Sequence, residues 1–211
     1  MANSYRANTI HTNYLTPSEL QTEFRDYKLK VLNGEIDFNP TLKEKYKDLL
    51  YFISDEFPND IISGSLALNI LGLIYRDTND IDIIIDDKNR YSKYSKDGYD
   101  DDEFSTPNRL GYVDFKYKKK PLIGIESLQL FPKYKEYKVD FFHNDNNASF
   151  IIFDFNGKKI KIHNPLEVMD YKLNMAINTK VYSSTSRKHN EDLTRIFGQT
   201  PWQLALKNEL V

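Results

Sequence analysis

Between Asp80 and Ile85 the chain reads Asp-Ile-Asp-Ile-Ile-Ile, two acids set into an otherwise apolar run. Alternation of this kind has a period of two, which fits a β-strand and no helix. Ile81, Ile83 and Ile85 then share one face, while Asp80 and Asp82 project together from the other, about 6.5–7 Å apart along the strand. An unpaired carboxylate against apolar neighbours costs several kcal/mol. The run therefore demands a core on one side and, on the other, either solvent or positive charge.

The chain around it is large enough to supply that core. It has 211 residues, of which 40% are hydrophobic and 14% aromatic, too apolar for a disordered chain. A net charge of −2 gives no global field for a polyanion, so any phosphate-bearing ligand must be met locally. The absence of cysteine excludes a disulfide partner, a thiolate zinc site and a cysteine nucleophile. The histidines (His11, His143, His163, His189) lack zinc-ligand spacing. With no apolar leader at the N-terminus and no apolar run of bilayer length, a cytoplasmic protein with no membrane partner is expected.

Local signals divide the rest. A polar arm over residues 1–15 precedes Thr16-Pro17-Ser18-Glu19, a capping box with proline at the first helical position, and Gly34 ends that helix. A second helix is expected from near Pro40, burying Leu42, Tyr46, Leu49, Ile53 and Phe57. Asp60–Ser63 reads as a strand, Leu66–Leu73 as a helix and Asp80–Ile85 as a strand, a βαβ-like opening. From Gly111 to Ile162 short alternating runs predict a strand meander, with a tight turn at Asn156-Gly157. The acidic stretch 97–111 reads as a loop. Helices are expected over 165–178 and 187–197. The basic-aromatic run Phe115–Pro121, with Lys116, Lys118, Lys119 and Lys120, suits either an edge strand guarded by lysines or a contact with RNA.

This order predicts an α+β fold, a mixed β-sheet with helices packed on one side and a short C-terminal helical segment after it. The expected parts are an arm and helix (1–43), a core (44–163) and a C-terminal helical segment completing the pocket (164–211).

Two carboxylates on one strand face can hold one divalent cation or bridge two, and hard oxygens suit Mg²⁺. Gly64-Ser65, after an apolar strand and opening a helix, offers backbone N–H groups and a hydroxyl to an anion. A third carboxylate from a neighbouring strand would complete such a site. Asp140 in Val-Asp-Phe-Phe is the first candidate, and Asp154, close to a turn, the second.

Gly64-Ser65, a helix, Arg76-Asp77-Thr78-Asn79-Asp80-Ile81-Asp82 and the later Val139-Asp140-Phe141-Phe142 together resemble the nucleotidyltransferase (DNA polymerase β-like) superfamily. Within it the chain looks most like the AbiEii-type branch of toxin and phage-defence proteins. That branch has a similar gap between turn and acidic pair, an arginine four residues before the first Asp and a hydroxyl two before it. The similarity extends from about residue 60 to 197 and includes Lys172 in "EVMDYKLNMA" and Asp192 in "RKHNEDL". By that resemblance Asp80, Asp82 and Asp140 are catalytic metal ligands for Mg²⁺ ions, with Mn²⁺ as a substitute. Gly64, Ser65, Arg76, Thr78, Lys172, Lys188 and Asp192 line the nucleotide, Asp192 either directly or by holding Lys172. One departure is Thr179, where the branch often has a basic residue.

The implied activity is transfer of a nucleoside monophosphate from an NTP to a hydroxyl on an RNA end, a protein or a small molecule. An antitoxin protein would be the partner of a toxin of this type. The alternative is a non-catalytic module that keeps the nucleotidyltransferase fold for binding or assembly.

Overall fold

The computed structural model describes residues 15–40, 46–76, 78, 80–87, 90, 109–117, 135–145, 147–178 and 184–198. Backbone contacts divide the chain into one unit of Phe38–Val168 and another joining Met1–Asp37 to Met169–Val211. Among the described residues no helix is long and apolar enough to cross a membrane.

In the second of these units the described elements are helices. Helix α1 (Pro17–Leu32) starts where the sequence predicts: Thr16 N donates to Glu19 Oε2 at 2.7 Å and Glu19 N to Thr16 Oγ1 at 3.3 Å. It stops at Asn33-Gly34, where Glu35 N reaches back to Lys30 O. Its Phe24 and Tyr27 rings lie 6.3 and 5.7 Å from Phe197 at the end of the last helix. Asn190 of that helix also donates to Leu15 O at 2.8 Å. Residues 15–37 and 184–198 thus belong to one unit, which their separation in sequence conceals.

The Phe38–Val168 unit carries the sheet. Helix α2 (Lys47–Glu56) precedes β1 (Ile61–Ser63), α3 (Gly64–Ile70) and β2 (Ile81–Ile85). Strands β3 (Arg109–Tyr117), β4 (Lys135–His143), β5 (Phe150–Phe155) and β6 (Lys158–His163) follow. Helix α4 (Pro165–Asn178) crosses the boundary between units, and α5 (Ser184–Phe197) ends the described chain. The sheet order is β3-β4-β2-β1-β6-β5. Pairs β1/β6 and β2/β4 are parallel; β1/β2, β3/β4 and β5/β6 are antiparallel. The mixed sheet of the expected α+β class is present.

Register explains both faces. Phe141, Ile83, Ile62 and Ile162 are neighbours on successive strands and are all buried to 0% exposure. Helix α2 covers this side: Phe52 stacks on Tyr137 at 4.5 Å and Phe57 meets Phe141 edge-on at 5.7 Å. Each such buried ring is worth roughly 1.5–3 kcal/mol. One residue along, the row on the opposite face reads Asp140, Asp82, Ser63. The apolar row fixes the register, and the register aligns the polar row.

Several expectations change. Helix α2 is described over Lys47–Glu56; residues 41–45, where the helix was expected to start and where Leu42 stands, lie outside the described residues, and Tyr46, Leu49, Ile53 and Phe57 are buried as expected. Helix α3 stops at Ile70, three residues early. Gly72, at φ +69°, lets Leu73 N turn back to Leu68 O. The opening is not a parallel βαβ unit, because β2 returns antiparallel beside β1. A seven-residue helix followed by a long return segment brings the chain back to the end of β1 it left. Arg109 begins β3, so the last residues of the expected acidic loop are strand. The arm over 1–14, residues 97–108, the run 125–133 and Lys118, Lys119 and Lys120 lie outside the described residues. At Asn156-Gly157 the expected tight turn forms, with φ of +53° and +78°, the left-handed pair a two-residue hairpin requires.

Candidate active site

The antiparallel return has a direct chemical result. Because Ser63 pairs with Asp82, the turn at the end of β1 and the acidic start of β2 meet at one end of the sheet. Parallel pairing of β2 with β4 then places Asp140 beside Asp82. One carboxylate oxygen from each of Asp80, Asp82 and Asp140 lies within 4.8 Å of the other two. Among the described residues this is the one such gathering of three metal-ligating side chains. Asp140 is buried, at 6% exposure, and Lys138 Nζ stands 3.9 Å from it. Asp154, the second choice, is exposed, and its Oδ1 accepts from Gly157 N at 3.0 Å within the hairpin turn.

Gly64 is required here twice over. Its φ is +61°, and a Cβ added to it would fall 1.7 Å from Asp82 Oδ2. The Asp82 carboxylate therefore rests directly on the bare Cα of the turn. Ser65, buried at 7% exposure, accepts a hydrogen bond from Arg76 Nη2 at 2.5 Å. Asn69, fully buried in α3, donates to Arg76 O at 2.9 Å. Arg76 is thereby pinned to α3 through both its backbone and its side chain, which orients the segment leading into Asp80. Thr78 is half-buried within it. Asn69 was visible in sequence only as a polar residue inside the apolar run Leu-Ala-Leu-Asn-Ile-Leu.

The polar row continues past Ser63. Ser63 Oγ lies 2.8 Å from His163 Nδ1, and His163 Nε2 lies 2.8 Å from Glu167 Oε2. Glu167 also accepts from the backbone N and the hydroxyl of Ser149. Burial holds the His163 pKa below its ordinary value, against the opposing pull of Glu167. For Glu167 burial pushes upward, but hydrogen bonds from Ser149 and His163 outweigh it and leave the pKa lowered. The fold thus favours a neutral imidazole beside an ionised carboxylate. Sequence spacing could not reveal this group, since the three residues come from β1, β6 and α4.

The remaining sequence candidates belong to the helical unit. Lys172 Nζ and Asp192 Oδ2 form an ion pair at 2.9 Å, with side chains 3% and 1% exposed. His189 Nδ1 lies 3.5 Å from the same ammonium. Lys188 is exposed on α5.

No family model matches the chain, and no curated protein sequence matches it. Among solved structures it is similar to an antigenic nucleotidyltransferase-like protein from Paracoccidioides brasiliensis. The identity is 13%, over 82% of this chain and 90% of that one, with a TM-score of 0.47. A likeness that distant fixes neither activity nor substrate, and the acidic cluster stands on its own geometry.

Proposed function

We propose that the chain is a metal-dependent nucleotidyltransferase that moves a nucleoside monophosphate from an NTP to a hydroxyl acceptor. The observation carrying this reading is the meeting of Asp82 and Asp140, from two parallel-paired strands, with Asp80 from the residue just before β2, beside a glycine whose missing Cβ makes room for Asp82. The donor set fits the metal: three hard carboxylate oxygens suit Mg²⁺, which keeps waters and takes further ligands from phosphates. When bound, such an ion neutralises phosphate charge and stabilises the leaving pyrophosphate.

The chain's own residues have separable tasks in this scheme. Asp80 and Asp82 hold the cation side of the triphosphate. Asp140 faces the acceptor and takes part in removing its hydroxyl proton. Gly64 admits the Asp82 carboxylate close to the backbone of the turn that would meet the phosphates, and the Arg76–Ser65 hydrogen bond keeps that turn in register with the acidic strand. The acceptor is an RNA end, a protein or a small molecule, and the resemblance to AbiEii-type proteins favours a toxin or phage-defence role. Growth arrest on expression, relieved by a neighbouring antitoxin, tests that role.

The deciding experiment is thermal unfolding with each of the four NTPs, with and without Mg²⁺, for the wild type and Asp82→Asn. A ligand at 100 times its dissociation constant adds about 2.7 kcal/mol. A metal-dependent shift with one NTP, absent in the variant, supports the proposal and names the donor. Equal shifts in both proteins, or none with any NTP, would favour the non-catalytic module.

A further inference from the structure

Ser63 occupies the N-cap position of α3, where a serine hydroxyl ordinarily accepts from the first helical N–H groups. Here the side chain makes no capping bond. Its hydroxyl is committed to His163 instead, at 2.8 Å. The direction of that hydrogen bond follows from the far side of the ring. Glu167 accepts from two groups of Ser149 and faces His163 Nε2 at 2.8 Å. A carboxylate only accepts, so Nε2 carries the hydrogen. In a neutral imidazole Nδ1 is then the bare nitrogen, and Ser63 must donate to it.

The consequence falls on the other side of Ser63. Its proton is spent on His163, so the oxygen has only lone pairs left for the face it shares with Asp82. Directly paired residues hold their Cβ atoms about 4.5–5.5 Å apart on that face. A carboxylate and an acceptor-only hydroxyl side by side are not complementary to each other. Both are complementary to a hydrated divalent cation, which offers charge to Asp82 and water O–H groups to Ser63. We infer that Ser63 is a further ligand-binding residue of the acidic site, accepting a hydrogen bond from the hydration shell of the cation held by Asp82, and that His163 and Glu167 are positioning residues that fix its polarity. This inference rests on Asp80, Asp82 and Asp140 forming a cation site, and it extends that site across two more strands and into α4.

The probe is Mn²⁺ alone, titrated into the full chain without nucleotide and followed by electron paramagnetic resonance. Ser63→Ala is expected to weaken Mn²⁺ binding about threefold to tenfold, the range of one hydrogen bond. Ser63→Thr, which keeps the hydroxyl, is expected to restore it. His163→Phe weakens binding similarly, and Ser63→Ala/His163→Phe binds no worse than Ser63→Ala, because the histidine acts through the serine. A separate measurement on the wild type, ¹⁵N chemical shifts of the His163 ring, is expected to show hydrogen on Nε2. Hydrogen on Nδ1 overturns the inference whatever the variants do. So does Ser63→Ala binding Mn²⁺ as tightly as the wild type; if Asp82→Asn still binds more weakly, the acidic site survives without Ser63. Wild type and Asp82→Asn binding Mn²⁺ alike would remove both.

Discussion

The two units set charge against different neighbours. In the helical unit, Lys172 and Asp192 compensate each other at 2.9 Å, out of solvent. In the sheet unit, Asp80, Asp82 and Asp140 gather like charges within 4.8 Å. Desolvation penalises any buried ion, and a close opposite charge repays part of that penalty. Three carboxylates bring mutual repulsion as well. The buried pair needs nothing added, whereas the carboxylate cluster, with Lys138 Nζ 3.9 Å from Asp140, still gains from a divalent cation that enters it. Stability and binding capacity are thus written into the sign of the neighbouring charge.

The largest expected effect breaks the compensated pair. Lys172→Met leaves Asp192 buried without its ammonium and should cost roughly 3–5 kcal/mol in urea unfolding. Asp82→Asn should cost far less in metal-free buffer, since it removes one like charge from a half-buried cluster and keeps the shape of the side chain. If both variants lose stability equally without metal, the contrast between the units fails. Gly64→Ala should follow at about 1–3 kcal/mol, since its backbone is left-handed and the new methyl displaces the Asp82 carboxylate. Loss of the Mg²⁺-dependent thermal shift should accompany it, and an unchanged shift would mean that Asp82 does not need the bare turn.

A gentler test uses pH. The folded pKa of His163 is lowered from an unfolded value of 6.5, so below that value the unfolded chain binds the proton first. The stability from this residue is fully present above about pH 6.5 and is lost as pH falls through the folded pKa. Unfolding free energies measured from pH 8 down to 5 should decline, and His163→Phe should flatten the decline. The smallest effect belongs to Asp154→Ala. It removes a single hydrogen bond in the hairpin turn, worth about 0.5–1.5 kcal/mol, and should leave Mn²⁺ binding untouched.

What could be read in the sequence was local or periodic. The Thr16–Glu19 capping box and the Asn156-Gly157 turn need only neighbours within a few residues, and both formed where expected. The alternation over Asp80–Ile85 assigned the two faces of β2 correctly, and the flanking apolar residues of Asp140 marked it as a strand partner. Strand direction was not legible: nothing in Leu71–Asp80 says that the chain turns back to make β1 and β2 antiparallel. Nor was His163 legible, because its meaning comes from Ser63 and Glu167 on other elements. The contact of Phe24 and Tyr27 with Phe197 joins opposite ends of the chain and leaves no local trace.

The antiparallel return of β2 also sets an order of assembly. The glycine turn, Arg76, Asp80 and Asp82 all belong to one short continuous stretch, so closing the β1–α3–β2 loop costs little chain entropy. Asp140 arrives only when β4 docks in parallel across a much longer separation, a slower kind of pairing. During refolding, a half-site with two carboxylates should therefore exist before the third. Cation binding at full strength would then report the docking of β4, making the metal a clock for the last step in building the sheet's centre.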